Sequence, residues 1–172
     1  MLHPNVLVGQ DVVFIGHTRP GLAPRLVGVQ RRLGSRWVDV ARARTDAGGR
    51  FLARYWPRTL GSVRLRLHHA GRAGRGATLS EPSATVFHRV VVSWYGLGGT
   101  TACGDALAPG TLGVANRTLP CGTMVTLRNG ARSVRVPVID RGPYVAGRDY
   151  DLTYATKLAL GAGDVSVIWA SA

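Results

Sequence analysis

The chain has 172 residues, of which 45% are hydrophobic and 18% charged, and its formal net charge is +13. That length admits one large domain or two small ones, and the hydrophobic content excludes a disordered chain. The excess of base suggests polyanionic partners, but no basic run is interleaved with aromatics and there is no zinc-finger spacing or basic helix, so nucleic acid is not an expected partner.

The N-terminal stretch MLHPNVLVGQDVVFIG lacks a basic n-region, and Gln10 and Asp11 break its apolar run, so it does not read as a signal peptide. No segment is long and apolar enough to span a membrane. The first half then reads as short strands between turns. Asp11–Ile15 is a strand, and Thr18–Pro24, with Pro20-Gly21, is a turn. Arg25–Arg32 and Arg36–Arg44 are strands around Leu33-Gly34-Ser35, and Thr45–Gly49 turns the chain into Arg50–Tyr55. Ser62–His69 alternates, with Val63, Leu65 and Leu67 on one face and Arg64, Arg66 and His68 on the other, which predicts a half-buried antiparallel strand. Gly71–Gly76 is a Gly/Arg loop. Thr85–Val92 is the last strand and runs on towards the second half. Short strands at this spacing predict a small β-sandwich over residues 1–88. The segment TDAGGRF, Thr45–Phe51, resembles the turn of bacterial Ig-like and carboxypeptidase-regulatory-like domains, which implies a spacer or adhesive module.

Residues 89–172 have a different rhythm. Val90–Tyr95 is an apolar strand and Gly96–Gly99 a loop. Leu112–Ala115, Met124–Arg128 and Ser133–Ile139 read as strands, with Asn129-Gly130 as a hairpin turn. Thr153–Leu160 is the one good helix, stopped by Gly161, and Asp164–Ala170 is a closing strand. Many short strands with one short helix predict a small closed barrel. The whole chain is therefore expected to be all-β.

Cys103 and Cys121 lie 18 positions apart in loop-like TACG and LPCG contexts. They read as a disulfide worth about 3 kcal/mol of loop-closure entropy. The alternative is two buried thiols in a cytosolic protein. A disulfide implies an oxidising compartment, and so a secreted or envelope protein whose export signal has been removed from this chain.

The second half is poor in groups that move protons. From Val90 to Ala172 there is no histidine and no glutamate, and the carboxylates are Asp105, Asp140, Asp149, Asp151 and Asp164. Asp140 closes an apolar strand and is followed by Arg-Gly-Pro; Asp151 lies at the mouth of the predicted helix. With no histidine among these residues, neither a metal nor a cofactor is expected.

The blocks SWYG (Ser93–Gly96), TACGDAL (Thr101–Leu107), GVANRTLPCGTMV (Gly113–Val125), VPVIDRGPYVAGR (Val136–Arg148) and DLTYATKLAL (Asp151–Leu160) resemble, in this order, the RlpA-like (rare lipoprotein A) double-psi β-barrel family. The resemblance implies a six-stranded double-psi barrel over 89–172 and action on peptidoglycan or another wall polysaccharide, as lytic transglycosylases or as expansin-like or barwin-like modules that only bind the polysaccharide, or that bind a partner such as another wall enzyme. It implies that Asp140 is the catalytic aspartate and Asp151 the second acidic position. Asn116 falls where many members carry a histidine. The uneven charge implies that the first half attaches to anionic wall polymer. Residues 1–89 carry 15 arginines and 4 acids, against 7 basic and 5 acidic residues from 90 to 172.

A lytic transglycosylase needs one carboxyl group to protonate the glycosidic oxygen and then take the proton of the sugar's own C6 hydroxyl, whereas a hydrolase normally uses two. Asp140 is the candidate for that role, with Asp151 and Asn116 in support. From the residues alone, Asp140 reads equally as an Asx-type turn and Asp151 as the N-cap of the helix. Tyr95 and Tyr144 are the candidates to line a sugar groove; Trp94 and Tyr150 are weaker ones, and Trp169 reads as core. Thr100 and Thr101 bond sugar hydroxyls or close a turn. Arg141 is a candidate substrate contact whose guanidinium points away from Asp140 or pairs with Asp149 or Asp151.

Overall fold

The computed structural model describes residues 4–18, 25–69, 77–80, 82–96 and 98–172. The chain is mostly β with a single short helix, and it divides into two compact units, Met1–Phe87 and His88–Ala172. Among the described residues no helix is long and apolar enough to cross a membrane.

The first unit contains β1 (Asn5–Leu7), β2 (Val12–His17), β3 (Leu26–Leu33), β4 (Arg36–Arg44), β5 (Arg50–Tyr55), β6 (Gly61–His69), β7 (Ala77–Ser80) and the start of β8 (Ser83–Tyr95). β2 pairs only with β5, antiparallel, while β4, β3, β6 and β8 pair in that order. Alternation builds its core: Val63, Leu65 and Leu67 of β6 are buried with Val27, Val29 and Phe14, while Arg64 between them is exposed. The turn before β5 is held by Asp46, whose carboxylate accepts from Arg50 N at 2.8 Å. β1 and β7 are additional to the strands expected from sequence. The expected Gly71–Gly76 loop, and most of the Thr18–Pro24 turn, lie outside the described residues.

The second unit contains the end of β8, β9 (Val114–Ala115), β10 (Met124–Asn129), β11 (Arg132–Asp140), β12 (Tyr150–Thr153), the helix α1 (Tyr154–Leu160) and β13 (Ser166–Ala170). The hydrogen-bonded path runs β8–β13–β10–β11–β9–β12, and β12 also pairs with β8, so the path returns to its start. The β9–β11 and β8–β12 pairs are parallel. The core gathers the inward residues of every strand, among them Val92, Val114, Leu127, Val136, Leu152 and Ile168. α1 buries Thr156 and Leu160, four residues apart on one helix face.

One sequence expectation changes here. The helix N-cap is Thr153, whose side chain accepts from Thr156 N, and not Asp151. Asp151 belongs instead to β12, a four-residue strand too short to show a period. The helix end is as expected: Gly161 closes it in the left-handed region at φ 60°.

Candidate active site

Three short strands bring the two key carboxylates to one place. Asp140 on β11 is the register partner of Ala115 on β9, and Ala115 is in turn the partner of Asp151 on β12, which pairs with Ser93 on β8. The row reads Asp140–Ala115–Asp151–Ser93. Two interstrand spacings separate the aspartate backbones, roughly 9–10 Å, with only a methyl group between.

A register shift creates this row. Val138 pairs with Val114, but the next pair on these parallel strands is Asp140 with Ala115, so Ile139 is the extra residue. Without that bulge Ile139 would oppose Ala115. Bulges of this kind re-aim the side chains that follow them. The sequence accommodates the bulge through Gly113, where an added methyl would come within 2.5 Å of the Ile139 side chain.

Asp140 is held by main-chain donors. Its Oδ1 accepts from Ala102 N and from Arg141 N, both at 2.8 Å. The Ala102 donor comes from the 101–105 turn, where Thr101 Oγ1 accepts from Asp105 N at 3.0 Å and Thr101 O from Gly104 N at 2.9 Å. Cys103 N reaches Ile139 O at 3.2 Å, and Gly122 N reaches Val138 O at 2.8 Å. The Cys103–Cys121 disulfide joins these two segments. The TACGD and LPCG segments thus clamp the end of β11 from two sides. The second oxygen of Asp140 accepts no hydrogen bond among the described residues.

Asp151 accepts a short hydrogen bond from Ser93 Oγ, and Ser93 is buried. The Arg141–Pro143 turn passes beside it. Gly142 has φ +132°, and a methyl placed there would lie 3.8 Å from Asp151 Oδ2 and 3.9 Å from the Ala115 methyl. Tyr95, two residues after Ser93, points its phenol into the same neighbourhood. Burial, with the charges of Asp140, Asp151 and Asp105 adding to it, holds that phenol well above its ordinary pKa. The hydroxyl is buried and has no hydrogen-bond partner among the described residues. Such an orphan costs about 1–3 kcal/mol.

The remaining candidates divide. Tyr144 follows Pro143 and is 84% exposed, the most exposed large side chain near the carboxylates. Thr101 is buried and spends its hydroxyl on the turn, while Thr100, exposed, bridges Ala106. Arg141 points away from Asp140. Its guanidinium donates to Asn116 O at 3.1 Å and Leu119 O at 2.9 Å, and lies 3.1 Å from Cys121 Sγ; it pairs with neither Asp149 nor Asp151. Asn116 is a loop staple. Its Oδ1 accepts from Leu119 N at 2.8 Å and Thr118 N at 3.1 Å, and its Nδ2 donates to Asp149 O at 3.1 Å. Asp149 in turn accepts from Val91 N at 2.7 Å. Trp94 sits apart, donating to Asp164 at 2.9 Å under the Lys157 ammonium.

Ser93, Ala115 and the Ala102 main chain were not singled out as site residues from the sequence. Ser93 lies within an apolar strand, and only the register reveals its partner. His88 lies in the second unit, where its Nε2 is 3.0 Å from Ala172 O and its ring lines a cavity of about 280 Å³ with Asn116, Asp149 and Tyr150. Among the described residues, no group of three or more His, Cys, Asp or Glu is arranged to hold a metal ion.

With this geometry in hand, the similarities fall on the same unit. A family model described as "Lytic transglycolase" matches residues 88–168. The chain is 44% identical over 78 residues to the "Probable endolytic peptidoglycan transglycosylase RlpA" of Aquifex aeolicus (strain VF5), covering 42% of this chain and 34% of that protein. It is likewise 44% identical over 77 residues to the protein of the same name in Synechocystis sp. (strain ATCC 27184 / PCC 6803 / Kazusa), covering 41% of this chain and 24% of that protein. The chain thus spans about a third of the length of the first relative and about a quarter of the second. The structure of the "Streptomyces papain inhibitor (SPI)" superposes with a TM-score of 0.40 at 22% identity, covering 48% of this chain and 91% of that one, too loosely to carry an argument. These similarities to RlpA proteins all lie in the C-terminal unit.

Proposed function

We propose that this is a cell-envelope protein whose C-terminal unit cleaves peptidoglycan glycan strands in the manner of a lytic transglycosylase. The observation that carries the proposal is the row Asp140–Ala115–Asp151–Ser93, lying within the segment matched by the lytic-transglycosylase family model. Asp140 offers one carboxyl oxygen fixed by two main-chain donors and a second with no partner among the described residues. In the proposed reaction the second oxygen delivers a proton to the glycosidic oxygen, and the C–O bond breaks at C1. The same carboxylate then takes the proton of the C6 hydroxyl as O6 bonds to C1, leaving a 1,6-anhydro end. No water is consumed. Asp151, fixed by Ser93, acts as a positioning residue and electrostatic partner. Tyr95, Tyr144 and Thr100 line the glycan path, and Arg141 and Asn116 hold the loop that frames it.

The remaining architecture is read in the same way. The closed path of six strands supports a double-psi barrel. The strand groups of residues 1–88 support an Ig-like sandwich acting as a spacer or adhesive module. The disulfide supports a secreted or envelope-exposed location.

A second reading has one observation in its favour. Asn116, at the position where many members of the resembling family have a histidine, spends its amide oxygen and one amide N–H on loop hydrogen bonds, and an amide cannot shuttle a proton as imidazole does. This favours a wall-binding module, expansin-like or barwin-like, without cleavage. Digestion of purified peptidoglycan separates the readings. Mass spectrometry should find 1,6-anhydro products; retained binding to glycan strands with no such products would select the second reading.

A further inference from the structure

The first unit carries an arginine-lined cleft that the proposed wall cleavage does not use. Trp37 on β4 pairs in register with Arg32 on β3, and Arg64 on β6 pairs with Ser83 on β8. The β3–β6 register runs through Arg31 and Leu65, so Arg32 and Arg64 follow as neighbours on adjacent strands. These four residues, with Leu65 and Pro82, line a cleft of about 270 Å³.

Two of the guanidinium groups here are held, those of Arg32 and Arg66. Arg66 Cζ lies 4.5 Å from the Trp37 ring centroid and Arg32 Cζ 5.9 Å from it. Arg66 also donates through Nε at 3.0 Å, and through Nη2, to Gln30 Oε1, and Arg32 Nε donates to Gly34 O at 3.1 Å. Stacking and hydrogen bonding of this kind remove the side-chain freedom that an arginine otherwise loses on binding.

These charges are also uncompensated among the described residues. Among the described residues, no carboxylate forms an ion pair with Arg32, Arg64 or Arg66. Asp39, on the neighbouring strand, is occupied by Arg42 at 2.9 Å, by the Gln30 amide at 2.7 Å and by His68 at 3.4 Å. Like charges on adjacent strands repel, and an anion between them removes that cost. Donors converging from β3, β6 and β8 suit an oxyanion whose oxygens point in several directions. A tetrahedral phosphate has that form; a planar carboxylate is served by one guanidinium fork.

We propose that the Arg32–Arg64 cleft, with Arg66 stacked on Trp37 beside it, binds the phosphate groups of a phosphate-linked anionic wall polymer, giving the first unit a specific polymer-holding site. This site is independent of Asp140 and of whether the second unit cleaves glycan.

The test is a titration of the full-length protein with inorganic tripolyphosphate, with polygalacturonate as the carboxylate comparison. Arg64→Ala and Arg66→Ala should each weaken tripolyphosphate binding about tenfold, the effect of losing one charge-assisted hydrogen bond. Arg66→Lys, which keeps the charge but not the planar fork, should weaken it as well. Arg44→Ala, at the far end of β4, and Arg50→Ala remove equal charge from exposed positions outside the cleft and should change binding less than twofold, about what one distant screened charge contributes. Thermal melts of every variant should stay close to the parent's. Equal losses from the cleft and control variants would overturn the proposal in favour of unspecific charge. Tighter binding of polygalacturonate would overturn the choice of phosphate, and no measurable binding of tripolyphosphate would overturn the site.

Discussion

Asp140 and Asp151 are register partners of the same residue, Ala115, one from each side. They come from different strands, eleven positions apart in the chain, and only a buried methyl group stands between them. Each is also fixed by a separate donor set: Asp140 by the Ala102 and Arg141 main chain, Asp151 by the Ser93 hydroxyl. Two carboxylates placed independently on one row can be given different roles by their surroundings.

The buried hydroxyl of Tyr95 leads to a prediction of opposite signs. It has no partner among the described residues, so Tyr95→Phe removes a desolvated donor without breaking an internal bond. The variant should be about 1–3 kcal/mol more stable than the parent. Glycan turnover should fall if that hydroxyl serves a substrate oxygen. Urea melts and product analysis check the pair of outcomes; a loss of stability with unchanged turnover would assign the phenol a purely structural role.

The disulfide should matter to chemistry as well as to stability. Replacing Cys103 and Cys121 by serine is expected to cost about 3 kcal/mol from loop closure. Because the 101–105 turn carries the Ala102 donor to Asp140, activity should fall at temperatures where the reduced protein is still folded. Turnover and near-ultraviolet dichroism, followed together during reduction, test this. Full activity in the folded, reduced protein would separate the turn from catalysis. Denatured, unreduced protein should show no free thiol.

Alkaline pH should weaken the fold through its tyrosines. Burial, with the Asp149 charge adding to it, pushes the Tyr150 phenol up to about 12, against about 10 in an unfolded chain. A pKa raised on folding gives stability that is complete below the unfolded value and is lost as the pH climbs through the folded one. Urea midpoints should hold up to about pH 10 and then fall towards about pH 12. Tyr150→Phe, which cannot ionise, should flatten that decline at the cost of the hydrogen bond to Ala172 O. An unchanged slope in the variant would rule out Tyr150 as its source.

Some of this was legible in the sequence because the signals are local. The β6 alternation and the Gly161 helix stop each depend on neighbours a few residues apart, and each has its place in the structure; the hairpin expected at Asn129-Gly130 turns one residue later, at Gly130-Ala131, between the paired Asn129 and Arg132. Asp140 and Asp151 stood out because the second half holds so few acids. What remained hidden depends on register. Strand β12 has four residues and no usable period, which made Asp151 resemble a helix cap. The shift at Ile139 follows from parallel pairing with Val114 and Ala115, and Gly113 signals it only once Ile139 is known to lie against it. Ser93 looks like an ordinary strand residue until Asp151 is set beside it. Thr101, Asn116 and Arg141 carry polar groups that looked available in sequence, and the loops they hold have used them.

The most direct test of the account compares the parent protein with Asp140→Asn on purified peptidoglycan, scoring 1,6-anhydro ends by mass spectrometry. The amide oxygen of asparagine can still accept from Ala102 N and Arg141 N, so the fold and the turn should be retained while the transferable proton is lost. Cleavage should fall ~10²–10⁴-fold, the usual range for a positioned general acid–base, and Asp151→Asn should cost less. Asp140→Asn protein that releases anhydro ends at the parent's rate would contradict the account.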